Sequence, residues 1–150
     1  MPPSPALKHK AFAYITHGRR LLVFSHPDHP QAGIQVPAGT LKDGEDPREG
    51  VLREAFEETG LEGLRAEALP GQCDYPAPAR NEIHRRNFFH LTCSDDPPEK
   101  WIHYERHPDE GDEDAIRFEF FWVDLPGGVP TLSPGHDRMI PKLLKALELA

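Results

Sequence analysis

Cysteine is scarce. The chain has two, Cys73 and Cys93, which lie far apart and form no CxxC pair, so a zinc site or a redox couple has little basis; free thiols, buried or half-buried, are expected. Long apolar runs are missing from both ends, and the opening Met1-Pro2-Pro3-Ser4-Pro5 has neither the basic nor the apolar region of a secretory signal. A cytoplasmic protein without membrane contact is therefore expected. Basic residues are in deficit: 17 Lys and Arg face 25 Asp and Glu, a formal net charge of -8. That balance argues against binding nucleic acid by neutralising its phosphates, and against an anionic membrane surface for the same reason. No internal repeat and no low-complexity block is present.

What the chain has in excess is proline, 17 residues in 150, roughly twice average usage. The prolines are scattered between apolar segments, the pattern of a loop-rich globular domain and not of a disordered tract. A chain of 150 residues suits a single domain, able to bury about 70% of the surface its unfolded form would expose.

The apolar pattern predicts the elements. Lys10 to Thr16 and the run Leu21-Leu22-Val23-Phe24, joined through His17-Gly18, read as a hairpin. A short extended piece through Gln35-Val36-Pro37 leads to a tight Pro37-Ala38-Gly39 turn. Asp46, Pro47 and Glu49 supply an N-cap, a rigid first position and a capping partner, and Gly60 supplies a left-handed stop. The spacing of Val51, Leu52, Ala55 and Phe56 thus predicts a helix from Pro47 to Thr59. Strands are expected over 66–69, 72–75, 83–93 and 117–123, and a terminal amphipathic helix from Met139 to Leu147 with Pro141 near its start. Hairpins mixed with helices point to an α+β fold, a mixed sheet flanked by helices.

Within the first helix, Glu54, Glu57 and Glu58 stand at i, i+3 and i+4 and share a side. Like charges at that spacing cost about 0.2–0.5 kcal/mol per pair, and near a helix C-terminus the dipole adds to the cost. Arg53 can answer part of the charge; a hard divalent cation, Mg²⁺ or Mn²⁺, would answer the rest and keep positions open for substrate phosphates. An exposed acidic helix face is the alternative.

Gly39, Glu45, Arg53, Glu54, Glu57, Glu58, Gly60 and Leu61 together resemble the Nudix box, G-x5-E-x7-R-E-U-x-E-E-x-G-U, where U is a bulky aliphatic residue. Ala55 at the first U is the departure. Seven fixed letters at about 7% usage each would coincide somewhere in such a chain on the order of once in a million, so chance is set aside. The resemblance, carried by residues 39–61, implies an α/β/α sandwich and hydrolysis of a nucleoside diphosphate linked to another group. Glu54, Glu57 and Glu58 would be metal ligands, with Gly39 offering its carbonyl. Arg53 would orient the carboxylates, Glu45 would brace the join of loop and helix, and Gly60 would end the helix. Ala55 lies on the core side and leaves the metal side untouched.

The resemblance further implies water attacking one phosphorus of the diphosphate, with metal lowering that water's pKa and offsetting charge. The proton acceptor would be Glu54 or a carboxylate in a loop outside the box; within the stretch 105–114 Glu113 is the candidate. His26, Arg80 and Arg85 are the candidate substrate contacts. Arg85 and Arg86 alternate on one strand and cannot both serve. Tyr75, Trp101 and Tyr104 would either stack on a base or pack in the core. Pro76, downstream of the box, resembles the mark of ADP-ribose pyrophosphatases and ranks ADP-ribose-like substrates slightly first. A non-catalytic nucleotide sensor of the same family is the alternative function, and a homodimer, frequent in the family, is the expected assembly if there is one.

The acidic surplus is local. Residues 39–61 hold seven acids and three bases, and residues 105–114 hold six acids and one base. Without divalent metal, such a site should repel a diphosphate; with it, the local sign inverts.

Overall fold

The computed structural model describes residues 3–105 and 115–149. Seven strands form one mixed sheet: β1 (Ala6–His17), β2 (Arg20–Ser25), β3 (Ala38–Thr40), β4 (Leu64–Ala77), β5 (Glu82–Cys93), β6 (Lys100–Glu105) and β7 (Ile116–Asp124). Their order is β4-β5-β1-β2-β7-β6, with β3 paired to the first half of β1. Helix α1 (Pro47–Thr59) covers one face and α2 (Ile140–Ala146) the other.

Strand β1 sits at the centre, and its residues 11–16 are buried without a break, as a strand covered on both faces requires. Alternation sorts its side chains: Ala11, Ala13 and Ile15 pack with Val51 and Ala55 of α1, whereas Phe12 and Tyr14 pack with Ile140 and Leu143 of α2. Parallel pairing of Ala6–Thr16 with Glu82–Thr92 imposes the same alternation on β5. Leu91 and Cys93 face α1, while Phe88 faces α2.

Helix α1 has the predicted bounds. The Asp46 carboxylate accepts from the Glu49 N–H at 3.3 Å, and Gly60 takes the left-handed conformation at φ 75°. The buried side differs from the expected one, because Phe56 is 50% exposed whereas Glu58 is 3% exposed. Helix α2, expected over Met139 to Leu147, is shorter by a residue at each end.

Three elements depart from the pattern. Residues 64–77 form one strand where two were expected; a register shift between Glu67 and Gly71 replaces the gap. Edge position lets the strand carry Pro70 and Pro76, since its outer N–H groups have no ladder to complete. Ala38 and Gly39, expected in a turn, lie in strand β3, drawn into the ladder by Lys10–Phe12. Strand β6 has no counterpart among the expected elements, and two of its residues, Ile102 and Tyr104, are 50% and 53% exposed. Among the described residues, no helix is long and apolar enough to cross a membrane.

The loop before α2 is fixed by polar contacts under the sheet. Tyr14 Oη donates to the His136 carbonyl at 2.6 Å and accepts from the Met139 N–H at 3.1 Å. The Val36 N–H donates to His136 Nδ1 at 3.2 Å, which leaves the ring proton on Nε2. Burial, then the Arg86 charge, push the His136 pKa down to about 4. Below pH 6.5 the unfolded chain takes up a proton that the folded one refuses, so stability is lost as pH falls from about 6.5 to 4, by about 3 kcal/mol at most. His136→Asn, whose amide oxygen can accept from Val36, is expected to flatten the urea-midpoint profile over that interval. An unchanged slope would show that His136 does not titrate this way.

Candidate active site

The carboxylates of α1 are sorted by depth. Glu57 has 53% of its side chain exposed, Glu54 has 14%, and Glu58 is buried. Arg53 binds three acids at once. Its Nε and Nη2 grip Glu45 at 2.8 and 2.9 Å, and Nη1 reaches Glu54 at 3.0 Å and Glu57 at 3.2 Å. Glu45 also accepts from the Lys42 N–H at 3.0 Å, so one carboxylate ties loop 41–46 to the helix. The Arg53 bonds, followed by the Lys42 N–H, pull its pKa down to about 2.

Glu58 lies in the opposite regime. Burial drives its pKa well above the usual carboxylate range, the charges of Glu105 and Glu54 add to this, and a hydrogen bond from the Ala38 N–H works against it. Burial likewise raises Glu54, against the pull of Arg53. Glu105, at the end of β6, crowds both.

Strand β3 approaches these carboxylates closely. A Cβ on Gly39 would lie 2.0 Å from Glu54 Oε2 and 2.2 Å from Cδ, so the Glu54 carboxylate can hold this position only against glycine. The ladder bonds from Leu41 N–H to His9 O and from Ala13 N–H to Pro37 O fix the alternation. Gly39 therefore presents its own peptide groups to Ala11, and the Ala38 peptide groups point to the helix. The backbone carbonyl turned toward the carboxylates is that of Ala38.

The last turn of α1 is held from β6. Trp101 Nε1 donates to the Thr59 carbonyl at 2.9 Å, and His103 Nε2 donates to the Glu57 carbonyl at 2.9 Å. The Trp101 ring stacks on Phe120 at 5.2 Å, so it packs in the core and is not free for a base. Glu105 and His103 belong to the site and were not singled out by the sequence reading; the in-out alternation of 100–105 is the signal that could have found them.

The other expected contacts are spread out. His26 packs edge-on against Phe118 at 4.7 Å, and burial, with His29 nearby, lowers its pKa. Arg85 is held by Asp74 through two bonds of 2.8 and 3.0 Å. Arg80 ends a short 3-10 turn and is exposed. Arg86, on the other side of β5 from Arg85, stacks between Phe12 and Tyr75. Glu113 lies outside the described residues. Burial raises the Cys93 thiol, and Cys73 is partly covered among the α2-side apolar residues.

Against known proteins, a family model described as NUDIX domain matches residues 7–143. The chain belongs to the NUDIX family. Among curated Nudix-box relatives, the ADP-sugar pyrophosphatase of Mus musculus is 41% identical over 51 residues, covering 34% of this chain and 23% of that one. The RNA pyrophosphohydrolase of Cereibacter sphaeroides is 48% identical over 48 residues, covering 32% and 30%. The chain thus spans about a quarter to a third of the length of these relatives. The Nudix fold itself is shown by solved structures. The MutT NUDIX hydrolase from Burkholderia pseudomallei matches with a TM-score of 0.65 at 19% identity, covering 91% of this chain and 98% of that one. A bifunctional NMN adenylyltransferase/ADP ribose pyrophosphatase from Francisella tularensis, complexed with AMP and a Mn ion, matches with a TM-score of 0.66 at 18% identity, covering 97% and 43%.

The Nudix carboxylates also fit a hard cation by chemistry. All the donors are oxygens, and negative charge crowds around a buried carboxylate that, among the described residues, no base neutralises at bonding distance. Among the described residues, no three such groups converge on one point as the side chains stand. Arg53 accounts for that geometry, because it draws Glu54 and Glu57 to itself.

Proposed function

We propose that this Nudix chain is a divalent-metal-dependent pyrophosphohydrolase acting on a nucleoside diphosphate linked to another moiety. The observation that carries the reading is the burial of Glu58 beside Glu54, Glu105 and the Ala38 peptide. A solvated acidic face would not sink a carboxylate to 3% exposure among like charges. Glu54, Glu57, Glu58 and the Ala38 carbonyl would hold Mg²⁺ or Mn²⁺, with Gly39 giving Glu54 room to approach. When bound, the metal lowers the pKa of water and offsets charge on the diphosphate.

The chain's own residues do the rest. Arg53 keeps Glu45 as its bidentate partner while Glu54 and Glu57 are free to leave it, so the loop stays braced as the carboxylates turn. Glu58 must release its proton for a cation to enter, which makes cation affinity rise with pH. Glu54 and Glu105 are the carboxylates placed to accept a proton from attacking water; Glu113 is the further candidate from the loop. His26, Arg80 and Arg85 are the weaker candidates for substrate contact.

ADP-ribose-like substrates are ranked slightly first, on Pro76 and on the likeness to the mouse ADP-sugar pyrophosphatase. The likeness to an RNA pyrophosphohydrolase keeps a pyrophosphate carried by RNA as a second candidate. The cytoplasm is the proposed compartment, and a homodimer the proposed assembly if the chain associates. A product-resolved screen with Mg²⁺ and Mn²⁺ over ADP-ribose, nucleotide sugars, dinucleoside polyphosphates, coenzyme A and oxidised nucleoside triphosphates is expected to show release of a nucleoside monophosphate from one class. Tight nucleotide binding with no product from any would instead assign a sensor.

A further inference from the structure

On the α2 side of β3, a cavity of about 230 Å³ adjoins the carboxylate site at Ala38 and Gly39. Its walls include Lys10, Phe12, His84, Arg86 and His136, and none of its lining residues is acidic. The charge of the surface therefore changes sign across one short strand, from carboxylates on the α1 side to cations on the α2 side.

Arg86 is built into this cavity with unusual firmness. Its guanidinium lies between the ring of Tyr75, 3.9 Å from the centroid, and that of Phe12, 4.8 Å away. Nη1 donates to the Pro134 carbonyl at 2.8 Å, which fixes the plane. A Cβ on Gly135 would lie 2.4 Å from Nη1, so the loop before α2 closes directly over it. The residue is 9% exposed, and its Nε–H is buried with no hydrogen-bond partner among the described residues. A buried, unsatisfied charged donor costs free energy that a ligand acceptor would recover. Lys10 stands nearby on β1, its Nζ 2.6 Å from Thr40 Oγ1, and burial lowers its pKa. Two acids act on Lys10: Glu82, engaged with His84 at 2.9 Å, and Glu54, held by Arg53 at 3.0 Å.

The aromatic rings here are engaged by the guanidinium. Phe12 has Arg86 over its face and Phe88 and His136 each 4.9 Å away, and Tyr75 carries Arg86. A planar fork and an ammonium, in a lining whose described residues include no acid, are the chemistry of phosphate binding.

We propose that the cavity is a phosphoryl subsite, holding the phosphate of the diphosphate that the carboxylate side does not hold, so that the substrate is gripped from both sides of β3. The proposal rests on the diphosphate reading of the site. On this side the protein reads charge.

The test uses the whole chain stripped of metal, where the carboxylates repel anions and phosphate binding reports on the cavity. Calorimetric titration with inorganic phosphate and with AMP is expected to show saturable binding, with adenosine at least about tenfold weaker. Lys10→Gln and Arg86→Lys should each weaken AMP binding about tenfold, whereas Glu58→Gln should leave it unchanged or tighter. With Mg²⁺ and a cleaved substrate, Lys10→Gln should raise KM more than it lowers kcat. Adenosine binding as tightly as AMP would make the cavity a base pocket and overturn the proposal, as would unchanged AMP affinity in Lys10→Gln. Lys10 is only half-buried, so its variant remains decisive if Arg86→Lys does not fold. Hydrolysis by a protein with no metal-free phosphate binding would reject the subsite alone; phosphate binding without hydrolysis of any diphosphate would reject the enzyme reading alone.

Discussion

Glu58→Gln is expected to abolish most turnover while leaving the fold intact or firmer. The substitution keeps the shape and an acceptor for the Ala38 N–H, and it removes one negative charge from a place 3% exposed to water. Loss of a charge that the reaction requires is worth about 10²–10³ in kcat, and Glu57→Gln, with half its side chain in solvent, should fall similarly without any change in melting temperature. Stability runs the other way. Because the native pKa of Glu58 is raised, the folded chain holds a proton that the unfolded chain gives up, so metal-free wild-type stability falls as pH rises from about 4.5 through the raised native value. The Gln variant lacks that slope and should melt higher than wild type at neutral pH in chelator. Thermal melts with and without Mg²⁺, paired with assays of the cleaved diphosphate, check both halves. Full Mg²⁺-dependent activity in both variants would sink the assignment.

Gly39→Ala should separate chemistry from folding even more sharply. The new Cβ would stand 2.0 Å from the Glu54 carboxylate oxygen, and the obstructed atoms are the far end of a flexible side chain, so Glu54 swings away and the backbone stays. Breaking its contact with Arg53 costs no more than about 1 kcal/mol at such a partly exposed pair. Replacing glycine in a strand returns about 0.5–1 kcal/mol. The two nearly cancel, so the melting temperature should hold. Activity should not: a ligand displaced by an ångström or more costs about 100-fold or more. A double-mutant cycle with Glu54→Ala gives the mechanism, because once Glu54 is gone the extra methyl should cost little further activity. An additive cycle would mean that Gly39 acts through something other than Glu54.

Helix α1 was legible to the residue because its signals are local: an Asp-Pro start, a Gly stop, and apolar spacing between them. The apolar strands β5 and β7 were legible within a residue at either end for the same reason. What escaped depends on partners distant in sequence. Phe56 looks like a core residue by spacing, yet Glu58 takes the buried place because β3 and β6 close over it. Nothing in Pro37-Ala38-Gly39 distinguishes a turn from a strand until β1 offers a ladder. Alternation shows that Arg85 and Arg86 part company, but which of them enters the cavity is set by register with β1. Glu105 reads as one more acid in an acidic stretch, and only the pairing of β6 with β7 brings it toward Glu54 and Glu58.

The clamp on the last turn of α1 has a consequence for how the site comes into being. The helix closes by contacts within one turn, the fastest kind to make, but Trp101 reaches Thr59 across 42 residues and His103 reaches Glu57 across 46. Loop-closure entropy must be met before those contacts reward it. A nascent chain that had emerged only through Leu61 would hold every letter of the box and still lack the finished end of its helix. The segment that identifies the family is therefore not self-sufficient: it matures only when an edge strand made much later in synthesis docks against it.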